Sequence, residues 1–174
     1  MTEDEAIALL GGQVLGGHGP VTWADLGCGD GTFTRALATV LPPESVIHAM
    51  DRNASALEKL PRIHARVSIV AHAGDFMVPP WPFSGLDGIL LANSLHYVRD
   101  QAAFIRNCAP HMTPPGRFLI VEYDTELGNR WVPYPISRIR LRELFNGAGY
   151  ATITLLASRP SVYQRAEIYS ALIE

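Results

Sequence analysis

The chain reads as an α/β protein built on an open, mostly parallel sheet, and three observations predict it. Short apolar runs bounded by turn residues alternate with segments of helical periodicity. A glycine-rich turn, Asp25-Leu26-Gly27-Cys28-Gly29-Asp30-Gly31-Thr32, joins one such run to one such segment. Four successive apolar runs end in polar residues. In a parallel sheet those ends share one edge, where ligands bind at the switch in strand order.

The elements follow in order. Thr2 with Glu5 fits a capping box, so a short helix is predicted over about residues 3–10, ended by Gly11-Gly12. Gly16-Gly17-His18-Gly19-Pro20 reads as a flexible lead into a first strand, residues 21–26. Phe33, Leu37, Val40 and Leu41 then recur at helical spacing, so a helix opens near Asp30. Residues 45–50 form a second strand that delivers Asp51, and a helix begins near Asn53. A third strand, 67–73, leads into Gly74-Asp75-Phe76, and a fourth, 86–92, into Asn93-Ser94-Leu95-His96-Tyr97. Asp100 can cap a helix to about residue 109, with Phe104, Ile105 and Cys108 inward. Pro114-Pro115-Gly116 turns the chain into a fifth strand, 117–123. Ser137 can cap a helix ending at Asn146-Gly147. Residues 150–156 and 161–173 form a closing antiparallel hairpin around Arg159-Pro160.

The glycine turn carries the chemistry. Glycine tolerates positive φ and lets a ligand touch backbone, and the helix N-terminus behind it offers unpaired N–H groups. A dinucleotide fingerprint needs G-x-G-x-x-G beneath a pyrophosphate. Here the third glycine comes one residue early, at Gly31, and Thr32 stands in its slot. Asp25 would repel a pyrophosphate but attract the ammonium of an amino-acid moiety. Asp51 lies about twenty residues beyond Gly31, where nucleoside binders place an acid on ribose hydroxyls. Two plainer readings stay open: Asp51 could cap the following helix, and Asp75 could close a turn before Pro79-Pro80.

Asp25-x-Gly27-x-Gly29-x-Gly31, Asp51, Gly74-Asp75-Phe76 and Asn93 together resemble the class I S-adenosylmethionine-dependent methyltransferases, chiefly over residues 20–124. The resemblance implies a Rossmann-like, mostly parallel seven-stranded sheet with helices on both faces and a reversed final strand. It implies that Gly27, Gly29 and Gly31 approach the methionine and ribose of S-adenosylmethionine, and that Asp25 meets the amino group directly or through water. Asp51 would hold the ribose hydroxyls, Arg52 could lie over the adenine edge, and Asp75 with the Phe76 N–H would read the adenine. Asn93 would line the methionine end.

Methyl transfer needs orientation, exclusion of water and a base only if the nucleophile carries a proton. His96, with a pKa suited to proton transfer, is the candidate base. Tyr97, Glu122, Tyr123, Trp131 and Tyr134 are the candidate substrate-pocket residues. A packing role for His96 and an arginine pairing for Glu122 are the alternatives. No Asn-Pro-Pro-Tyr-type segment follows the fourth strand, which by family analogy favours a small-molecule site.

Composition agrees with one methyltransferase domain over residues 1–174. The 174 residues are 48% hydrophobic, enough for one sizeable core. A net charge of −3 gives no footprint for nucleic acid. Arg138, Arg140 and Arg142 flank an apolar helix stripe instead of forming one patch. No apolar run reaches membrane-spanning length, and the acidic start lacks the basic region of a signal peptide. Cys28 and Cys108 form no C-x-x-C, and the histidines show no zinc spacing, so no metal is expected. A cytoplasmic setting follows from the cysteine usage. Little sequence precedes the first strand to cover a substrate, so the substrate is large, or a short loop or a second subunit in a homodimer covers it. Three functions are open: a methyltransferase acting on a small metabolite, a cofactor-binding partner subunit without transfer activity, and an NAD-dependent oxidoreductase. Asp25 and Thr32 disfavour the last.

Overall fold

A computed structural model describes residues 1–12, 15, 19–161 and 166–174. Gly16, Gly17 and His18 of the predicted lead, and residues 162–165 of the predicted last strand, lie outside the described residues. The elements run α1 (Glu3–Leu9), β1 (Thr22–Leu26), α2 (Thr32–Val40), β2 (Val46–Asp51), α3 (Ala54–Leu57), β3 (Ile63–His64), β4 (Val67–Ala73), β5 (Leu86–Ala92), α4 (Gln101–Cys108), β6 (Met112–Tyr123), α5 (Arg138–Gly147), β7 (Ile153–Pro160) and β8 (Glu167–Ile173). They form one eight-stranded sheet in the order β3-β4-β2-β1-β5-β6-β8-β7. β4, β2, β1, β5 and β6 are parallel, and β8 runs antiparallel between β6 and β7. The order reverses between β1 and β5, and that crevice is where an open α/β sheet binds ligands.

Eight strands replace the expected seven because Ile63 and His64 add a two-residue antiparallel edge to β4. Too short to show periodicity, that edge is silent in the sequence. β6 starts at Met112 instead of residue 117: Leu86 pairs with Met112 and Gly88 with Arg117, so Pro114, Pro115 and Gly116 sit in an irregularity within the strand. The hairpin turn also moves. Arg159 and Pro160 pair with Ile168 and Glu167, so they belong to β7 and not to its turn.

Strand alternation divides the core. Trp23, Ile47, Leu90, Leu119 and Val121 face α1, α2 and α3, meeting Ala6, Leu9, Leu37, Val40 and Leu57. Ala24, Leu26, Ile89, Leu91, Phe118 and Ile120 face α4 and α5, meeting Phe104, Ile105, Leu141 and Phe145. Each fully buried leucine stabilises the fold by about 1.5–3 kcal/mol relative to exposure. The helices begin where capping chemistry allows. Thr2 and Glu5 form the reciprocal capping box, and Asn53, Asp100 and Ser137 each accept from a backbone N–H of the following turn. Among the described residues no helix is long and apolar enough to cross a membrane.

Candidate functional site

The Gly27–Gly31 turn is held from below by β2. The N–H groups of Gly27 and Cys28 donate to the Met50 carbonyl at 2.8 and 3.1 Å. The Gly29 N–H donates to Asp51 Oδ2 at 2.9 Å, and Asp51 Oδ1 accepts the Asn53 N–H at 2.8 Å. Gly27 (φ +80°) and Gly31 (φ +77°) hold a left-handed backbone in which a side chain would be strained. A Cβ at Gly27 would lie 2.7 Å from Ser94 Cβ, and one at Gly31 would lie 2.0 Å from Leu60 Cδ2. Gly31 is also the N-cap of α2 and lends it no side-chain cap. Asp51 is therefore both a clamp on the turn and, with about four lone-pair sites of which two are used, an acceptor with capacity to spare.

Asp25 points beneath α2. It is 1% exposed, and its Oδ2 accepts the Thr34 hydroxyl at 2.6 Å. Burial pushes its carboxyl up to about 7, the Thr34 bond opposing and the Asp51 charge adding to the rise. Thr34 carried no signal in the sequence. Asp75 Oδ1 accepts the Met77 N–H at 2.9 Å, and Asp75 Oδ2 lies 3.8 Å from the Arg52 guanidinium, itself largely exposed. The Phe76 ring packs edge-on against Phe104, with centroids 5.7 Å apart, and its carbonyl accepts from Trp81 Nε1 at 2.9 Å. Asp51, Arg52, Asp75 and Phe76 thus gather at the ends of β2 and β4.

A cleft of about 380 Å³ opens above the β1–β5 crevice. Gly27, Cys28, Gly29, Ala92 and Asn93 form its floor, with Phe33 and Tyr123 as aromatic wall. Met1 and Glu5 of the N-terminal segment border it, as do Arg159, Pro160 and Ser161. The short leading segment therefore supplies cover that the sequence reading did not assign to it. The Cys28 thiol is pushed strongly up by burial and by the charges of Asp25 and Asp51, so it stays a thiol. Asn93 adopts φ +54°, a left-handed conformation that asparagine tolerates better than most residues. Asp25 Oδ1, Asn93 Oδ1 and Ser94 Oγ are buried without a hydrogen-bond partner among the described residues. Buried acceptors of this kind ordinarily meet a donor. The orphaned Asn93 Oδ1 at the cleft floor suits a ligand that brings one, such as an ammonium.

The expected acceptor-side residues separate. Glu122 and Tyr123 are adjacent on β6 and so point to opposite faces. Tyr123 lines the cleft; Glu122, fully buried, faces the α4–α5 layer. Its Oε2 lies 2.6 Å from His96 Nδ1, and its Oε1 accepts the His96 backbone N–H at 3.1 Å. His96 is 2% exposed and does not line the cleft. Nor do Tyr97, Trp131 and Tyr134. Trp131 is 71% exposed, with the Arg130 guanidinium 5.6 Å from its ring centroid. The Tyr134 N–H donates to the His96 carbonyl at 3.0 Å, and Gln101 Nε2 donates to the Tyr134 carbonyl. The loop hangs on the turn after β5 through its backbone, leaving its aromatic rings outside the cleft. Asp25, though next to the turn, does not line the cleft either.

A family model described as a methyltransferase domain matches residues 24–118. No curated protein matches the chain. Among solved structures, it is similar to a SAM-dependent methyltransferase of Leishmania major, with 20% identity and a TM-score of 0.72 over 97% of this chain and 72% of that one. It is also similar to DhpI, solved as an SAH complex, with 18% identity and a TM-score of 0.65 over 88% and 76% of the two chains. The [4+2]-cyclase SpnF shares 18% identity and a TM-score of 0.66 over 88% and 60%. At these identities the likeness is one of fold. The family model does more, spanning over half of the chain from the glycine turn into β6. The chain belongs to the methyltransferase-domain family, and its fold is that of S-adenosylmethionine-dependent methyltransferases.

Proposed function

We propose that the cleft holds the methionine end of S-adenosylmethionine and, beside it, a small-molecule methyl acceptor. When bound, the cofactor supplies an electrophilic methyl group on a sulfonium. Gly27 and Gly29 would give backbone approach, and Asn93 Oδ1 would accept from the ammonium. Asp51 would take the ribose hydroxyls, and Asp75 with the Phe76 N–H would take the adenine. Arg52 pairs loosely with Asp75 and would border the base. Asp25 acts from beneath α2, setting the turn instead of touching the ligand. Phe33, Tyr123 and Ile168 wall the acceptor side and exclude water, which raises the value of orientation there. His96 is a positioning residue: Glu122 grips both its ring and its backbone and so fixes the turn that carries Asn93 and Ser94.

The observation that supports this reading most is the orphaned Asn93 Oδ1 at the floor of a cleft beside a glycine turn tied to Asp51. Titration calorimetry tests it. S-adenosylmethionine and S-adenosylhomocysteine are expected to bind and NAD is not; equal or tighter NAD binding would remove the reading. Asp51→Ala is expected to weaken cofactor binding by about 1–3 kcal/mol, the scale of losing hydrogen bonds to a charged group. Unchanged affinity would leave Asp51 as a clamp on the turn alone.

A further inference from the structure

One row of side chains crosses three strands into the cleft. Tyr123 of β6 pairs with Ile168 of β8, and Ile168 pairs with Arg159 of β7. Directly paired residues present their side chains on the same face, and all three line the cleft. Neighbouring strands lie about 4.8 Å apart, so Tyr123 and Arg159 are about 10 Å from each other at the backbone, with Ile168 between them. β5, whose end carries Asn93, is the strand on the other side of β6. The row therefore leads from the floor beside the glycine turn, across an aromatic and an aliphatic side chain, to a guanidinium.

That guanidinium already holds a carboxylate. Arg159 Nη2 donates to Glu5 Oε1 at 2.8 Å, and both side chains are partly exposed. Among the described residues Arg159 is the one basic side chain lining the cleft. An exposed ion pair of this kind is weak, so an incoming acid can displace Glu5. Release would not unwind α1, because Glu5 Oε2 separately accepts the Thr2 N–H at 2.9 Å and keeps the capping box.

We propose that Arg159 selects an acidic acceptor: a small molecule whose carboxylate takes the place of Glu5 on the guanidinium, with its apolar body on Ile168 and Tyr123. Charge-assisted pairing to the planar guanidinium favours a carboxylate over its neutral amide. The proposal rests on reading the cleft as the cofactor and acceptor site.

The test uses the full chain saturated with S-adenosylhomocysteine and three matched acid and amide pairs: benzoate, phenylacetate and 3-phenylpropionate with their amides. Binding is followed by calorimetry or ligand-observed NMR. At least one acid is expected to bind about tenfold or more tighter than its amide, the scale of a charge-assisted hydrogen bond. Arg159→Gln is expected to abolish that preference while S-adenosylhomocysteine still binds, which also reports that the variant is folded. Glu5→Gln is expected to tighten the acid and leave the amide unchanged. No acid preference in any pair, or a preference that survives Arg159→Gln, would overturn the inference alone. Failure of S-adenosylhomocysteine to bind the unmodified chain would overturn the reading of the site and the inference with it.

Discussion

Asp25 shows how much one buried carboxyl decides. Its carboxyl rises from the ordinary 3.8 to about 7, burial being the main cause. The native state then holds a proton that the unfolded chain has released. This contribution is fully present below the unfolded value, is lost as pH rises from about 4 to about 7, and is flat above that. His48 and His72, with Nδ1 and Nε2 3.0 Å apart, work in the opposite sense. Burial lowers both from 6.5, the neighbouring ring adding for His48, so their contribution is present above the unfolded value and is lost as pH falls from there through the lowered folded values. A variant separates the two effects. Asp25→Asn keeps an acceptor for the Thr34 hydroxyl and cannot ionise, so the unmodified chain should lose on the order of a few kcal/mol more than the variant between pH 4 and pH 7. Urea midpoints at both pH values check this, and equal losses would assign the decline to other groups.

At the scale of elements, the glycine turn and the end of β5 are built as one joint. Gly27 packs against Ser94 and the Phe76 ring, so three strand ends meet at a residue without a side chain. Gly27→Ala must carry a Cβ at positive φ into Ser94, and a loss of about 1–3 kcal/mol in unfolding free energy is expected. Cofactor affinity should fall with it. Unfolding in urea and titration with S-adenosylhomocysteine measure the two losses separately. Glu122→Ala acts on the same joint from the other face, leaving the His96 N–H and ring without their partner. It is expected to cost about 1–3 kcal/mol of stability for each buried group left unsatisfied. If the dyad only positions the turn, turnover should fall together with cofactor affinity, while a loss of turnover at unchanged affinity would restore His96 to the chemistry.

At the scale of the molecule, the sheet has two differently used faces. The α4–α5 face is closed by aromatic packing, with Phe118, Phe145 and Tyr150 in mutual edge contact. The other face carries the cleft, and α1 reaches across it through Glu5 to Arg159 and through Glu3 to Arg35 and His64. The net charge of −3 is the basis for expecting a small-molecule acceptor and not a polyanion. Methyl transfer to a small-molecule panel is therefore expected to survive both nuclease and chelator. Loss with chelator would reveal a metal-dependent acceptor site, and tight RNA or DNA binding that weakens steeply with salt would reveal a nucleic-acid substrate.

The sequence by itself determined the parallel strands, the helix caps and the turn at Gly27–Gly31. Period, capping chemistry and glycine spacing are local properties, and local rules read them. The placement of Asp51, Asp75 and Asn93 at or just beyond strand ends was legible for the same reason, since each follows an apolar run whose direction the topology sets. What only the tertiary structure decided was which side of the sheet each later residue serves. One step along β6 separates Tyr123, in the cleft, from Glu122, buried with His96 on the far face. Arg159 and Glu5, 154 positions apart, meet only because β7 closes against α1. No spacing in a chain encodes such a contact, because it depends on the register of three strands and the docking of a helix.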